Sequence, residues 1–302
     1  MKENTIHHLV EKARILQSAL PYIKKFYGKT FVIKYGGSAM IEESLRESFA
    51  KDILLLRYVG IKVIVVHGGG PQISATLERF GIKSIFVGGM RKTDEDTMHV
   101  VEMVLAGDIN KDIVALINKH SGDQIYAVGL SGRDGNLIKA RKLNKDEYFK
   151  ELGLDIPKED IGFVGEVISI NTHLLQTLME NNYIPVIAPV GVGMQGEAYN
   201  INADLVASEV AKHIKAEKLI FLTDTEGIKD QKGDVISSLS KEQAHRLIKE
   251  GIIKGGMIPK VKSSLKALEN GVKKVHIVDG RLQHSILLEV FTEEGVGTEI
   301  VS

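Results

Sequence analysis

Two glycine-rich segments that follow apolar runs contain residues suited to binding an anion. The first is Lys34-Tyr35-Gly36-Gly37-Ser38 and the second is His67-Gly68-Gly69-Gly70-Pro71. Glycine lets backbone N–H groups approach an anion closely, and the N-terminus of a following helix favours negative charge. A lysine in an otherwise apolar strand needs an anionic partner, unless it lies at an edge with its amine in solvent. The two segments therefore predict a phosphate site, although glycine is also common in ordinary strand-to-helix turns.

Other charged residues lie beside glycines or at predicted helix starts. Arg91 follows Gly88-Gly89, where a guanidinium could bind a carboxylate through two hydrogen bonds or simply be solvated. Asp204 falls in the first turn of a predicted helix, where a carboxylate also stabilises the helix dipole. Lys260 follows Gly255-Gly256 at another helix start, where a cation is unfavourable for the dipole. Lys260 is therefore expected to have a different use.

Two common nucleotide-binding motifs do not explain these residues. The pattern G-x-x-x-x-G-K-[ST] is absent, which excludes a P-loop mechanism. The segment Gly191-Val192-Gly193-Met194-Gln195-Gly196 matches the dinucleotide pattern, but residues 197–201 separate it from the next predicted helix. We interpret this match as a hairpin turn. His67 could act as a base, but we interpret it as a packed histidine at a strand end.

Composition narrows the function class. The chain has 39 basic and 39 acidic residues without a long block of one sign, which argues against a dedicated nucleic-acid or membrane-surface binder. It has no cysteine, which excludes disulfides, thiolate metal sites and cysteine nucleophiles. The N-terminus lacks the apolar core of a signal peptide, and no apolar run approaches the ~20 residues that span a bilayer. A cytoplasmic location is expected.

The elements that must position the candidate residues alternate between strands and helices. Continuously apolar strands imply helices on both faces, and the alternation predicts an α/β fold with a largely parallel, open, doubly wound sheet. In such a sheet, ligands bind beyond the carboxyl ends of the strands. Four turns, those after Lys34 and His67 and those at 129–132 and 223–227, are expected at that edge. The predicted strands are 31–35, 62–67, 125–130, 163–170, 184–190, 219–224 and 275–279, and the predicted helices are 44–59, 71–80, 94–120 (broken near Gly107), 171–182, 202–215, 240–250 and 257–270.

Two stretches depart from this alternation. Residues 132–162 are polar and irregular, and they are expected to carry hairpins or an excursion between two lobes. Before the first strand, apolar residues from Ile6 to Ile23 recur at helical spacing and predict one N-terminal helix within 1–27. The α/β core does not obviously require this helix.

Taken together, these segments closely resemble the amino-acid kinase family and, within it, the acetylglutamate kinases. The resemblance covers nearly the whole chain in order and extends to the segments 88–93, 200–204 and 255–260. It implies two lobes in residues 28–302, one at about 28–195 for the acceptor and dimerisation and one at about 196–302 for ATP. Carbamate kinase, aspartokinase and uridylate kinase share the first glycine turn but not the remaining segments in this form.

The resemblance also implies a reaction and a role for each candidate residue. The γ-phosphoryl group of ATP, bound with Mg²⁺, would pass to the side-chain carboxylate of N-acetyl-L-glutamate in arginine biosynthesis. No metal ion held by the protein alone is implied. The implied catalytic residues are Lys34 and Lys260, with Asp204 orienting both; the acceptor contacts are Gly69, Gly70, Arg91 and Asn200; and the ATP contacts are Gly36, Gly37, Thr223, Asp224 and Gly227.

The N-terminal helix resembles that of arginine-inhibited, hexameric acetylglutamate kinases, in which such helices join dimers into a ring. This resemblance implies that arginine binds near the helix and the C-terminal segment. The implied contacts are Lys215, His284, Glu289 and Gly295. The alternative is that the helix only covers an apolar patch.

Three other functions remain open from the sequence. The chain could be another amino-acid kinase, acting on glutamate, aspartate or carbamate. It could be a non-catalytic nucleotide sensor with the same fold, although the presence of both lysines and Asp204 favours catalysis. A weaker alternative is an NAD-binding oxidoreductase that uses the Gly191 turn.

Overall fold

A computed structural model of the chain describes residues 3–302. The helices are α1 (Glu3–Ser18), α2 (Leu20–Phe26), α3 (Glu43–Tyr58), α4 (Gly70–Arg79), α5 (Glu95–Glu102), α6 (Asn110–Ser121), α7 (Lys145–Leu152), α8 (Thr172–Glu180), α9 (Ala203–Ile214), α10 (Lys241–Lys249), α11 (Met257–Glu269) and α12 (Ser285–Phe291). The strands are β1 (Thr30–Tyr35), β2 (Lys62–His67), β3 (Phe86–Val87), β4 (Met90–Arg91), β5 (Tyr126–Ser131), β6 (Ile138–Lys142), β7 (Gly165–Ile170), β8 (Tyr183–Ala188), β9 (Val190–Val192), β10 (Ala198–Asn200), β11 (Lys218–Thr223), β12 (Ser238–Ser240), β13 (Lys274–Asp279) and β14 (Thr298–Val301).

The main sheet has eight strands in the order β12-β14-β13-β11-β1-β2-β8-β5. Its pairs are parallel except for β13 with β14, which confirms the predicted largely parallel sheet. Successive residues of a strand face opposite sides, so Val65 packs in one apolar layer while Ile64 and Val66 pack in the other. Both layers are covered by helices, which explains why these strands are apolar throughout.

A second sheet has four strands in the order β10-β9-β6-β7, of which β6 lies in the irregular region 132–162. The predicted strand 163–170 lies here as β7 and does not join the main sheet, because it pairs antiparallel with β6. The Gly191 segment forms the antiparallel hairpin β9–β10, as predicted. A hairpin offers no helix N-terminus to a pyrophosphate, so the dinucleotide interpretation loses its structural basis.

The expected break near Gly107 is not a break. A π-helical segment, Met103–Ile109, joins α5 directly to α6. Wide π-helical turns accommodate an extra residue without ending the helix, and they occur frequently at functional sites.

The N-terminal region forms two helices where the sequence predicted one; residues 1 and 2 of that prediction lie outside the described residues. Pro21 in the first turn of α2 has no N–H and cannot continue the hydrogen bonding of α1. Phe26 of α2 is buried in the apolar layer that Phe291 of α12 also contacts. Side chains of α1 such as Leu16, which is 75% exposed, face solvent. Within residues 3–302, no helix is both long and apolar enough to cross a membrane.

Candidate active site

The sheet order brings three of the four predicted turns together. β1 lies between β2 and β11, with Tyr35 paired to His67 and Lys34 paired to Phe221. The turns that follow these strands are therefore adjacent at the carboxyl edge. The fourth turn, after β5, is at the same edge but lies at the end of the sheet, separated from β2 by β8. It is correspondingly distant from Lys34.

Lys34, Asp204 and Lys260 form one buried cluster of charges. Lys260 Nζ donates to Asp204 Oδ2 at 2.5 Å, and Lys34 Nζ forms an ion pair with Asp204 Oδ1 at 3.2 Å. Helix α9 begins after Asn202, whose side chain accepts from Asp204 N–H at 2.8 Å and so fixes the first turn that carries Asp204. Helix α11 packs against α9 and supplies Lys260. Lys34 and Lys260, which lie 170 and 56 positions from Asp204 in the sequence, thus both contact its carboxylate.

The electrostatics of this cluster keep Asp204 ionised. Burial opposes ionisation, but the two ammonium groups outweigh it and hold the pKa of Asp204 well below its usual range. Burial lowers the pKa of Lys260, and Asp204 partly offsets that effect. Lys260 Nζ also lies 5.0 Å from the centre of the Phe221 ring. The cluster carries a net positive charge that is poorly solvated, which suits it to binding an anionic group.

The Gly36-Gly37 turn is packed against the cluster and against Asp224. A Cβ on Gly36 would collide with Lys34 Nζ, and a Cβ on Gly37 would lie 2.5 Å from Asp224 Oδ1. Gly37 also has a φ of +73°, a conformation that favours glycine. Ser38 N–H donates to Asp224 Oδ1 at 2.7 Å, so the end of β11 holds this turn in place.

A cavity of about 850 Å³ opens beside Asp224. Asp224 and Gly227 line it as predicted for the nucleotide contacts, whereas Thr223 does not line it and instead accepts a hydrogen bond from Gly280 N–H at 2.8 Å. Sequence reasoning missed Arg281, which binds Asp279 through Nε at 2.9 Å and Nη2 at 2.8 Å. It also missed the wall formed by 250–254 and Met257. The polar Asp279-Gly280-Arg281 segment at a strand end was the available signal.

Arg91 is tied to the second glycine turn. Its Nη2 donates to Gly70 O and to Ser74 Oγ, each at 2.9 Å, and its Nη1 donates to Ser84 Oγ. The guanidinium carbon lies 4.6 Å from the centre of the Phe86 ring. Arg91 is only 7% exposed, and burial lowers its pKa, but arginine stays protonated in proteins. A fixed positive charge therefore lies beside Gly70.

Asn200 and Gly69 complete this side of the site. Asn200 Nδ2 donates to Thr93 Oγ1 at 3.1 Å, and Thr93 Oγ1 donates to Arg91 O at 2.8 Å, which links Asn200 to Arg91. A Cβ on Gly69 would collide with Ile109 and lie 2.7 Å from Leu105 Cδ2, both in the π-helical segment. The four predicted acceptor contacts therefore belong to one connected region.

The four predicted arginine contacts do not form a single cluster. Glu289 and Gly295 are neighbours, since a Cβ on Gly295 would lie 2.8 Å from Glu289 Oε2. His284 turns instead to Asp52, with Nδ1 2.6 Å from Oδ1, and Lys215 is the left-handed C-terminal residue after α9. Glu289 Oε2 accepts from Val296 N–H at 2.8 Å and from Gly297 N–H at 3.0 Å, and two further neighbours lie on β13 and β11.

Those neighbours are His276 and Lys218. His276 Nδ1 lies 2.6 Å from Glu289 Oε1, and Lys218 Nζ donates to His276 Nε2 at 2.8 Å. Lys218 Nζ is also 5.2 Å from the centre of the Phe26 ring of α2. Burial lowers the pKa of Lys218 to about 8. This buried group thus connects the N-terminal region with the segment around α12.

Comparisons with known proteins give a consistent result. The model of the amino acid kinase family matches residues 29–279. The acetylglutamate kinase of Aquifex aeolicus is 72% identical over 295 residues, which cover 98% of this chain and 99% of that protein. The acetylglutamate kinase of Persephonella marina is 60% identical over 299 residues, which cover 98% of this chain and 100% of that protein.

Solved structures are similar over nearly the same length. N-acetylglutamate synthase from Neisseria gonorrhoeae, complexed with coenzyme A and N-acetyl-glutamate, gives a TM-score of 0.82 at 26% identity and covers 96% of this chain and 63% of that chain. The same synthase complexed with coenzyme A and L-arginine gives a TM-score of 0.81 at 26% identity, covering 96% of this chain and 65% of that one. Carbamate kinase from Giardia lamblia bound to AMP-PNP gives 0.67 at 20% identity over 91% of this chain and 99% of that chain, a likeness of fold.

Proposed function

The chain belongs to the amino acid kinase family, and from that premise we propose that it phosphorylates the side-chain carboxylate of N-acetyl-L-glutamate. MgATP would be the phosphoryl donor, and N-acetyl-L-glutamyl 5-phosphate, an intermediate of arginine biosynthesis, the product. The observation that carries the proposal is the Lys34–Asp204–Lys260 cluster at the carboxyl edge of the sheet. The acetylglutamate kinases that align with nearly the entire chain support the choice of acceptor.

The proposed chemistry needs charge stabilisation and no general base. A carboxylate is already ionised at pH 7, so no proton has to be removed before it attacks phosphorus. Two anions must instead be brought together, and negative charge on the phosphoryl oxygens must be stabilised in the transition state. Lys34 and Lys260 supply positive charge from two sides, and Asp204 holds both ammonium groups in place through its two ion pairs. Mg²⁺ would arrive with ATP and neutralise part of its charge.

The two glycine turns have different tasks in this proposal. Gly36 and Gly37 approach the phosphates beside Lys34, and the cavity lined by Asp224 and Gly227 receives the nucleoside. Gly69 and Gly70 hold the acceptor, with Arg91 and Asn200 beside them. The acceptor lobe would then span about 28–195 and the nucleotide lobe about 196–302.

Turnover with different acceptors tests the proposal. ADP release should require N-acetyl-L-glutamate and be far slower with glutamate, aspartate or carbamate. Activity that appears only with an acceptor lacking the acetyl group would refute the choice of substrate. ATP binding without turnover of any acceptor would favour a nucleotide sensor.

Substitution of the lysines tests the catalytic assignment separately. Replacing Lys34 or Lys260 by alanine should lower kcat by roughly 10²–10³, as when one oxyanion donor is lost. Lys266→Ala, on the same helix as Lys260, is a matched control that should retain kcat. Unchanged kcat in Lys34→Ala or Lys260→Ala would refute their roles.

We further propose that arginine inhibits the enzyme and that the N-terminal helices join dimers into a hexamer. A guanidinium needs a carboxylate partner, and Glu289 provides one next to Gly295, with His284 and Lys215 as further predicted contacts. The contacts of Lys218 with His276 and Phe26 would link that site to α2. A structure of the similar Neisseria synthase with L-arginine supports a binding site for this amino acid in the shared fold.

Deletion of residues 1–25 tests the regulatory proposal. The shortened protein should remain active, lose inhibition by arginine and sediment as a dimer, while the full chain is inhibited and sediments as a hexamer. Retained inhibition in the shortened protein would contradict the regulatory role. A shortened protein that still sediments as a hexamer would contradict the role of the N-terminal helices in assembly.

A further inference from the structure

A buried histidine and a buried asparagine contact the backbone of the second glycine turn. His67 ends β2 and Asn110 begins α6, and both are 0% exposed. His67 Nδ1 lies 2.8 Å from Gly68 O, and His67 Nε2 lies 3.2 Å from Asn110 Nδ2. The two side chains therefore connect the start of α6 to the carbonyl of Gly68.

The hydrogen positions in this connection follow from the chemistry of each atom. Gly68 O can only accept, so His67 Nδ1 must carry the ring hydrogen and Nε2 must be the acceptor. Asn110 Nδ2 then donates one hydrogen to Nε2 and the other to Val186 O at 2.9 Å. Lys111 Nζ donates to Asn110 Oδ1 at 3.0 Å and so fixes the orientation of the amide. All polar side-chain atoms of His67 and Asn110 are satisfied with the ring neutral.

The surroundings also keep the ring neutral. Burial lowers the pKa of His67 to about 4, with Lys111 acting in the same direction. A protonated ring would direct an Nε2–H at the hydrogens of the Asn110 amide. Rotating the amide would relieve that clash, but Asn110 Oδ1 would then face Val186 O. The network is therefore compatible with a single tautomer of His67.

This tautomer fixes the direction of a backbone donor in the turn. The peptide bond between Gly68 and Gly69 is trans and planar, so its C=O and N–H point in opposite directions. Because His67 holds Gly68 O, Gly69 N–H points away from the ring. Gly68 N–H donates to Tyr35 O at 2.8 Å, which fixes the preceding peptide as well. Gly69 is buried, and within residues 3–302 its N–H makes no hydrogen bond to the protein.

We propose that His67 and Asn110 are positioning residues that direct Gly69 N–H at the acceptor substrate. The inference rests on the proposed function, since Gly69 is a predicted contact of that substrate. The pair acts on affinity for the acceptor and transfers no proton. The π-helical segment serves the same end, because Asn110 follows it directly and Gly69 packs on its residues Leu105 and Ile109.

Two substitutions of His67 separate positioning from packing. Asparagine places its amide nitrogen as many bonds from Cα as Nδ1, so His67→Asn keeps a donor for Gly68 O. Glutamine extends the amide towards the Nε2 position, so His67→Gln loses that donor. We expect the KM for N-acetyl-L-glutamate to rise roughly tenfold in His67→Gln and Asn110→Ala, the effect of one lost hydrogen bond, and to rise much less in His67→Asn. The KM for ATP should stay within about twofold of the wild-type value in all three variants, because none of them removes a contact to the nucleotide.

Asn118→Ala is the matched control. Asn118 also lies on α6 and also binds a strand backbone, accepting from Ala127 N–H at 2.7 Å and donating to Ala127 O at 3.1 Å. Its loss should lower thermal stability without a selective change in the KM for the acceptor.

Several results would overturn the inference. They are equal rises in both KM values, an unchanged acceptor KM in Asn110→Ala, and equal impairment of His67→Asn and His67→Gln. If His67→Gln does not fold, the acceptor KM of Asn110→Ala, compared with its KM for ATP, still tests the positioning role. If the wild-type protein uses a different carboxylate acceptor, the proposed function fails while the same KM comparison, made with that acceptor, still tests the positioning role.

Discussion

Replacing Asp204 by asparagine removes the charge that separates Lys34 from Lys260 while preserving the shape of the side chain. Asp204 lies 3.2 Å from Lys34 Nζ and 2.5 Å from Lys260 Nζ, so both ammonium groups lose their anionic partner at once. Removing one partner of a buried ion pair costs about 3–5 kcal/mol, because the remaining charge is left poorly solvated. The two lysines can move to relieve part of this cost, and their ammonium groups are then displaced from the transferred phosphoryl group. We therefore expect kcat to fall by roughly 10²–10³.

The pH dependence gives a sharper test than the rate alone. Burial already lowers the pKa of Lys260, and Asp204 is the main group that raises it. Without Asp204 the pKa of Lys260 must fall further, so its charge is lost at lower pH. The reaction needs the charged form, and kcat/KM for ATP reports ionisations of the free enzyme. The decrease of kcat/KM on the alkaline side should therefore begin at lower pH in Asp204→Asn than in wild type.

Steady-state kinetics between pH 6 and 10 check this expectation. Glu209→Gln is the matched control, because it also removes a carboxylate from α9, and Glu209 pairs at 3.0 Å with Lys212 outside the cluster. It should leave the pH profile unchanged. An Asp204→Asn variant with wild-type kcat, or with reduced kcat but an unshifted alkaline limb, would contradict the role assigned to Asp204.

Three further predictions concern the surroundings of the site. Gly37→Ala should raise the KM for ATP and lower the Tm, because its Cβ would lie 2.5 Å from Asp224 Oδ1; Gly233→Ala, also at positive φ but in open space, controls for backbone strain. Arg91→Lys should raise the acceptor KM at least about tenfold with little change for ATP, because one ammonium cannot replace the fork of hydrogen bonds, and equal KM changes would contradict this. Burial raises the pKa of Asp52 from 3.8 to about 6, so the folded state holds this proton more tightly and its contribution to stability is lost as pH rises from about 4 to 6. Urea unfolding at about pH 4 and pH 6 should show the free energy of unfolding of the wild type falling by roughly 2 kcal/mol more than that of Asp52→Asn, and parallel losses would contradict this role of Asp52.

The local parts of the fold were predictable from the sequence because their causes are local. The apolar runs of β1, β2, β8, β11 and β13 involve residues within a few positions of one another, and so does the start of the predicted helix 240–250, where Ser240 and Gln243 form a capping box. The glycine turns after Lys34 and His67 are local in the same sense. The resemblance to a family then implied the candidate residues of the site, including Asp204, whose position in the first turn of a helix has an ordinary explanation in the helix dipole.

The errors in the sequence prediction have a common origin. The strand at 163–170 is apolar enough for the main sheet, but pairing with β6 places it in the second sheet. Gly107 predicts a break between two helices, but the chain continues there as a π-helical segment, whose residues Leu105 and Ile109 pack against Gly69 of the second glycine turn. Each outcome depends on a partner distant in the chain.

Local sequence patterns specified six of the eight strands of the main sheet, the glycine turns and the fold class, and the family resemblance implied the candidate residues of the site. Which of these residues come into contact depends on the three-dimensional fold. It placed β1 between β2 and β11 and left the β5 turn at the end of the sheet, and it joined Lys34 and Lys260 through Asp204. It also made His276 the partner of Glu289 and turned His284 towards Asp52. The physical reason is that strand order and helix packing bury apolar surface contributed by the entire chain, so contacts between distant residues are fixed by the folded core and not by their neighbours in sequence.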